Sequence, residues 1–370
     1  MTPLTVLCVN TGSSSVKCAV YEAAPDGERE VARAGVEGIG ADGPPDHVAA
    51  LALAFEHLGD ATASIGAAGH RVVHGGPAHV QPTLVDAALL TDLRDALPFA
   101  PLHLPASIGG IEAVAARDPA LPQVACFDTA FHQTIPERAW RLPLPRELAE
   151  AGVRKYGFHG LSYEYVVSSI GGETLGRAVI AHLGNGASLT AVVDGRSIDT
   201  TMGLTPTGGI PMGTRSGDLD PGVLLWLARE RGLDADALER VVDDDAGLRG
   251  LSGTSSDMRS LLDARTSDPS AAIAVEVFCY RVRLQIGAYA AALGGLDTLV
   301  FTGGIGERAA AARAEVCDRL GHLGVAIDAE RNERDDAVIS PDGAASTVRV
   351  VRTDEDRIVA RHTREVVGPG

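Results

Sequence analysis

A strand–turn–strand pattern occurs twice in this chain, and the repetition limits the folds available to it. Val6-Leu7-Cys8-Val9 runs into Asn10-Thr11-Gly12-Ser13-Ser14-Ser15 and on into Val16-Lys17-Cys18-Ala19-Val20-Tyr21. The pattern returns as Val179-Ile180-Ala181-His182-Leu183, Gly184-Asn185-Gly186-Ala187-Ser188 and Leu189-Thr190-Ala191-Val192-Val193. Apolar runs flanking a short Gly/Ser/Asn turn read as β-hairpins, and turns rich in unobstructed N–H groups and hydroxyls suit an anion such as phosphate. Two such hairpins predict a duplicated nucleotide-binding fold. At 370 residues the chain also exceeds what one hydrophobic core usually supports. Two domains with a cleft between them are therefore expected, with the boundary near residue 150.

Charge narrows the partners. A net charge of −17 disfavours nucleic acid and anionic lipid, so a phosphate site must be locally positive. Of 32 basic Lys and Arg residues only Lys17 and Lys155 are lysines, which singles out Lys17 in the first turn. The five cysteines are scattered and form no C-x-x-C pair, which points to a reducing cytoplasm rather than disulfides or zinc. The longest apolar run, Ala271 to Leu293, is interrupted by Glu276, Arg281 and Arg283, so no membrane span is expected.

Periodicity and punctuation predict helices at 46–58, 105–116, 162–169, 220–231, 234–242, 256–263 and 268–293, and strands at 123–131, 297–301 and 348–351. Thr353 is expected to cap a last helix from Asp354. The Gly/Pro/Thr-rich stretch 200–217 reads as an irregular functional loop.

Three constellations carry chemistry. In the first hairpin, Asn10, Ser13, Ser15 and Lys17 combine an amide, hydroxyls and an ammonium, a set that can hold phosphate oxygens and the water ligands of magnesium. In the second, Gly303-Gly304-Ile305-Gly306 lies between a strand and a helix, where bare backbone admits a nucleotide. Read alone, Gly304-x-Gly306-x-x-Ala309, with Asp328 at a strand end, also matches a dinucleotide fingerprint and an NAD-dependent oxidoreductase. That rival leaves the N-terminal hairpin unexplained. The third comprises Arg71 and Arg215, each beside glycines, with the carboxylates Asp128 and Glu355 and the turn-flanking His159 and His182. Ser14-x-x-Lys17 fits the serine-acylase pattern S-x-x-K, but it lies in a strand and lacks the S-D-N and K-T-G partners.

Taken in order, these segments resemble the acetate kinase family, part of the larger group with a duplicated actin, Hsp70 and sugar-kinase core. The similarity is carried by Asn10 to Lys17, Gly69-His70-Arg71-Val72-Val73-His74-Gly75-Gly76, Phe99 to His103, Phe127-Asp128-Thr129-Ala130-Phe131-His132, Tyr156-Gly157-Phe158-His159-Gly160, His182 to Gly186, Asp199 to Gly203, Ser252 to Arg259 and Thr302 to Glu307. It implies an α/β chain of two duplicated actin/Hsp70-like (ribonuclease H-like) domains, 1–150 with a C-terminal helix 356–370, and 151–355. It also implies reversible phosphoryl transfer between ATP and acetate, with Mg²⁺ or Mn²⁺, in a cytoplasmic homodimer serving acetyl-CoA formation. Under the resemblance Asn10 and Glu355, with Asp128, would organise the metal. Arg71, Arg215, His159 and Asp128 would be catalytic, with His159 and Arg215 stabilising the transition state. Val73, Leu102, Phe158 and Pro206, beside Arg71, would receive acetate. Lys17, Ser13, Ser15, His182, Leu183, Gly184, Asn185, Gly186, Asp257, Met258, Arg259, Gly303, Gly304, Ile305, Gly306 and Arg308 would bind the nucleotide. Propionate or butyrate is the alternative acceptor. The sequence departs from the family pattern at Leu104 and Arg308, both usually asparagine, and at Tyr163, usually histidine.

Overall fold

A computed structural model describes residues 4–24, 27–101 and 103–368. The chain divides into two compact units: Met1–Gln133 with Phe158–Tyr165 and Asp354–Gly370, and Thr134–Gly157 with Val166–Thr353. The second unit thus begins earlier than residue 150, and the final crossing falls between Thr353 and Asp354.

The first unit is built on β1 (Thr5–Thr11), β2 (Ser15–Ala24), β3 (Gly27–Glu37), β4 (Ile65–Val72), β5 (Thr83–Leu84) and β6 (Gln123–Phe127), in the order β3-β2-β1-β4-β6-β5. The first hairpin forms as expected, antiparallel from Val6 opposite Tyr21 to Thr11 opposite Val16. β4 lies parallel to β1, and β6 parallel to β4. The second unit holds β7 (Arg177–Leu183), β8 (Ala187–Val193), β9 (Arg196–Thr200), β10 (Thr298–Thr302) and β11 (Thr347–Val350), in the order β11-β10-β7-β8-β9. β7, β8 and β9 are antiparallel neighbours, while β10 runs parallel to both β7 and β11. The orders β3-β2-β1-β4-β6 and β9-β8-β7-β10-β11 therefore match strand for strand and direction for direction. This is the duplication the two hairpins announce, with β5 an added edge.

Alternation along β1 and β2 divides their side chains between two layers. Leu7, Val9, Val16, Cys18 and Val20 pack against the helix His47–Leu58. Val6, Cys8, Ala19 and Tyr21 pack against Ile358 and Val359 of the helix Glu355–Val367. Burying each of those two aliphatic side chains contributes about 1.5–3 kcal/mol.

Local rules account for most helix ends. Asp46, Asp220, Asp257 and Asp268 each cap a helix through the carboxylate, and Gly294, at φ 71°, ends Pro269–Leu293 in the left-handed region. Three expectations need correction. The strand expected over 123–131 stops at Phe127, because β4 ends opposite it at Val72, and the chain turns into a 3₁₀ segment at Ala130–Thr134. The final helix is capped by Asp354, which accepts from the Arg357 N–H, and not by Thr353. Asp328 ends no strand; it caps the short helix Ala329–Glu333. Among the described residues, no helix is long and apolar enough to cross a membrane.

Candidate active site

Parallel pairing brings the C-terminal ends of β1, β4 and β6 side by side, and three of the expected residues stand there. Arg71 donates from Nε to Asp128 Oδ1 (3.1 Å) and from Nη2 to Asp128 Oδ2 (2.6 Å), a bidentate pair. Asn10 Oδ1 lies 3.5 Å from Arg71 Nη1, and Glu355 Oε2 lies 3.4 Å from Nε. Asp128 is only 1 % exposed. Burial works against the charge on Arg71, but Asp128 and then Glu355 outweigh it and hold the guanidinium more firmly protonated than usual.

Glu355 reaches this point because of Gly69. A Cβ at Gly69 would come within 2.2 Å of Thr363 Oγ1 and 2.6 Å of Val359 Cγ1, so the C-terminal helix rests on bare backbone one residue pair before Arg71. Oxygen donors from an amide and two carboxylates thus converge around one cation, a hard-ligand set suited to Mg²⁺. Among the described residues, no three His, Cys, Asp or Glu side chains are arranged to hold a metal ion by themselves. Magnesium ordinarily takes one or two carboxylates and fills its shell with water and substrate phosphates.

The first hairpin turn is anchored from behind. Ser15 O accepts from the Gly12 N–H (2.8 Å), Ser14 O from the Ile39 N–H (3.1 Å), and His47 Nε2 sits 2.8 Å from Gly12 O. Ser13 and Lys17 are exposed and Ser15 is half-buried, with Lys17 directly opposite Asn10.

His159 occupies the left-handed region at φ 58°, immediately before the helix Gly160–Ile170. Its neighbours fix it there. The Gly160 N–H donates to Asp128 O (2.9 Å), and a Cβ at Gly160 would meet that oxygen at 2.1 Å. His132 Nε2 lies 3.0 Å from Phe158 O, which can only accept, so that nitrogen carries the proton. Phe158 is buried, with its ring edge-on to His74 at 5.6 Å, and Val73 beside His74 is half-buried. Leu102 lies outside the described residues. The departure Tyr163 is fully buried against Phe131 and His132, and Leu104 is a core residue of the helix Leu104–Arg117.

In the second unit, a cavity of about 380 Å³ is lined by Gly184, Asn185, Asp257, Met258, Arg259, Gly304, Ile305 and Arg308, all anticipated, by Ala309, named only in the dinucleotide fingerprint, and by Leu262 and Asp263, which were not anticipated. Leu262 lies one helical turn beyond Met258 on Met258–Ala264, so helical spacing was the available signal. Asp257 forms both wall and cap: the N–H and hydroxyl of Ser260 lower its pKa. Arg308 is 61 % exposed, 3.6 Å from Glu307. The remaining nucleotide candidates do not line the cavity. Leu183, Gly303 and Gly306 are buried, Gly186 is half-buried, and the half-buried His182 ring underlies Gly303. Arg313, fully buried, holds the Gly306 carbonyl (3.0 Å) while pairing with Asp335 and Asn332. Nothing local in the sequence marks that role.

Arg215 donates to Pro206 O (2.9 Å), which brings two candidates of the irregular loop together. Behind them burial raises the pKa of Asp243, against the opposing effects of the Thr207 hydroxyl and Arg215. Lys155, the other lysine, pairs with Asp199 at 2.6 Å.

The acetokinase family model matches residues 5–361. The chain belongs to the acetokinase family. It is 46 % identical to an acetate kinase from Pseudarthrobacter chlorophenolicus, over 99 % of both chains, and 43 % identical to one from Nitrobacter hamburgensis, over 97 % of this chain and 95 % of that one. Among solved structures, an acetate kinase from Porphyromonas gingivalis superimposes with a TM-score of 0.88 at 37 % identity, covering 99 % of this chain and 100 % of that one. A propionate kinase from Francisella tularensis gives 0.92 at 35 %, covering 98 % and 100 %. The chain is accordingly an acetokinase-family enzyme with an α/β fold built on two matching sheets. The dinucleotide reading falls with this, since the Asp328 it requires is a helix cap.

Proposed function

We propose that the enzyme reversibly transfers the γ-phosphoryl group of ATP to an acetate oxygen. A carboxylate oxygen attacks phosphorus in line as the bond to the β-phosphate oxygen breaks, giving acetyl phosphate and ADP. The single observation that carries this reading is the Arg71 guanidinium gripped by Asp128 and Glu355 beside Asn10, in a chain of this family. Acetate has no proton to lose at the attacking oxygen, so no general base is needed. Positioning and charge neutralisation supply the catalysis. Asp128 then serves by aiming Arg71, while Arg71, Arg215 and His159 meet the charge on the equatorial oxygens. Asn10 and Glu355 would hold Mg²⁺ together with water and the substrate phosphates, and Mg²⁺ would neutralise the β- and γ-oxygens. Ser13, Ser15, Lys17, His182 and Gly186 would surround the phosphates, and the 380 Å³ cavity would take adenosine. Val73, Leu102, Phe158 and Pro206 would enclose the acetate methyl.

Two further features support an assembled cytoplasmic form. All five cysteines are free and buried, as suits a reducing compartment. The helix Pro221–Glu230 carries Val223, Leu225 and Trp226 yet buries no residue, and Ile273, Tyr280 and Leu284 expose an apolar stripe on Pro269–Leu293. A second copy of the chain would cover such faces.

Hydroxamate trapping of acyl phosphate from ATP, Mg²⁺ and acetate tests the reading; no product from any short-chain acid would end it. The likeness to a propionate kinase favours propionate as the second acceptor. One methylene is worth about 1–3 kcal/mol, or about 10- to 200-fold in kcat/KM, so ranking acetate, propionate and butyrate decides between them.

A further inference from the structure

Glu307 is a buried carboxylate to which the reaction above assigns no role. It lies within the helix Gly303–Arg308, 9 % exposed, and its Oε1 accepts from two backbone groups: the Gly303 N–H (3.1 Å) and the Thr353 N–H (3.1 Å). An ordinary cap would come from upstream, at Thr302. Thr302 makes no such bond, and its own hydroxyl is buried without a hydrogen-bond partner. The helix is capped instead from inside, by a side chain that also reaches the far end of the second unit.

The next few residues along the chain give that far end its importance. Val351 still belongs to the sheet, its N–H donating to Phe301 O at 2.9 Å. Thr353 is the last residue of the second unit, and Asp354 the first of the returning segment of the first unit. Asp354 is held in turn: its Oδ1 accepts from Tyr21 Oη (2.8 Å) and from the Arg357 N–H (3.2 Å). Glu355, the neighbour of Arg71, is next. The junction is therefore gripped on both sides, by Glu307 before it and by Tyr21 after it.

We propose that Glu307 is a positioning residue that ties the nucleotide-side helix turn Gly303–Ile305 to the Thr353–Asp354 junction and so sets the placement of Glu355. The inference rests on the phosphoryl-transfer reading above. One carboxylate oxygen shared between two N–H groups joins that helix turn to the junction. Loss of the acceptor frees both. Gln keeps an oxygen that can accept from both N–H groups, whereas Ala keeps none. Proline at 353 removes the junction's N–H, along with the threonine side chain, and leaves the Gly303 N–H bonded to Glu307.

The test compares Glu307→Ala, Glu307→Gln and Thr353→Pro with the wild type, measuring ADP affinity by calorimetry and kcat with acetate. Glu307→Ala is expected to lose about tenfold in both ADP affinity and kcat, and Glu307→Gln to stay within about threefold in both. Thr353→Pro is expected to lower kcat about tenfold with ADP affinity unchanged, a split that a merely structural cap would not produce. Wild-type kcat in folded Glu307→Ala or Thr353→Pro overturns the proposal, as does Glu307→Gln damaged as badly as Glu307→Ala. If Thr353→Pro does not fold, the Ala and Gln pair decides. A wild-type enzyme that forms no acyl phosphate would defeat the parent reading instead, and the ADP affinities would still be comparable.

Discussion

Asp128 sits where water barely reaches it, and its close pairing with the guanidinium of Arg71 compensates the burial of its carboxylate. Arg71→Ala should therefore do two separable things. It should destabilise the fold by about 3–5 kcal/mol in urea titrations, because it strands a buried charge. It should also lower kcat by about 10³-fold or more, as loss of a transition-state arginine does. Removing Asp128 as well should recover most of the stability and none of the activity; recovery of both would remove Arg71 from the chemistry. Gly160 makes a sharper geometric case. Its Cβ would lie 2.1 Å from the Asp128 carbonyl, so Gly160→Ala should cost about 1–3 kcal/mol and reduce kcat by displacing His159. Gly109, in a helix with open space around it, supplies the control: Gly109→Ala should raise the melting temperature or leave it unchanged.

At the scale of elements, the helices Gly160–Ile170 and Glu355–Val367 carry His159 at one start and Glu355 at the other. They are tied together by Glu164, which accepts from Arg361 (2.6 Å) and lies 2.9 Å from His362 Nε2. Burial opposes the charge on His362, but Glu164 prevails and raises its pKa above the ordinary 6.5. Burial likewise opposes ionised Glu164, yet His362 and Arg361 lower its pKa below 4.5. A raised histidine contributes stability below its unfolded pKa and loses it as pH climbs through the folded value. A depressed carboxylate contributes above its unfolded pKa and loses it as pH falls. The pair should thus stabilise most between about pH 4.5 and 6.5. Melting temperatures of wild type and His362→Phe should differ most in that window and converge above neutrality; a constant difference would show that packing, not charge, ties the helices. Most helices were legible beforehand, because caps and turns are local: Asp46, Asp220 and Asp268 each begin a helix where the sequence places it, and Asp257 begins one a residue after the expected start at 256. Thr353 misled because Asp354, one residue on, caps equally well in isolation, and only the packing against Tyr21 selects it.

For the molecule as a whole, a duplicated kinase that excludes water from a transferring phosphoryl group should contract around its substrates. The radius of gyration from small-angle scattering should fall when an ATP analogue and acetate are added together, and an unchanged value would count against closure. Light scattering should give twice the 38.3 kDa chain mass, and Trp226→Asp should return it to one chain. A wild-type monomer would leave the apolar faces of Pro221–Glu230 and Pro269–Leu293 without the partner inferred for them.

Local and repeated features are legible in the residue order alone: two phosphate-type hairpins, the glycine run after β10, most helix starts, and the ordered motifs that mark the family. The same order singles out Asn10, Arg71, Asp128 and Glu355 one by one. Their assembly is a tertiary property, because the order β1-β4-β6 follows from pairing between distant segments and not from any short stretch. The approach of Glu355 depends on a bare Gly69 beneath a helix that ends the chain, and the Gly306 carbonyl depends on a buried Arg313 that reads in sequence as one arginine among many. Burial and close approach are properties of the packed chain, and in these places they alone separate a working residue from a surface one.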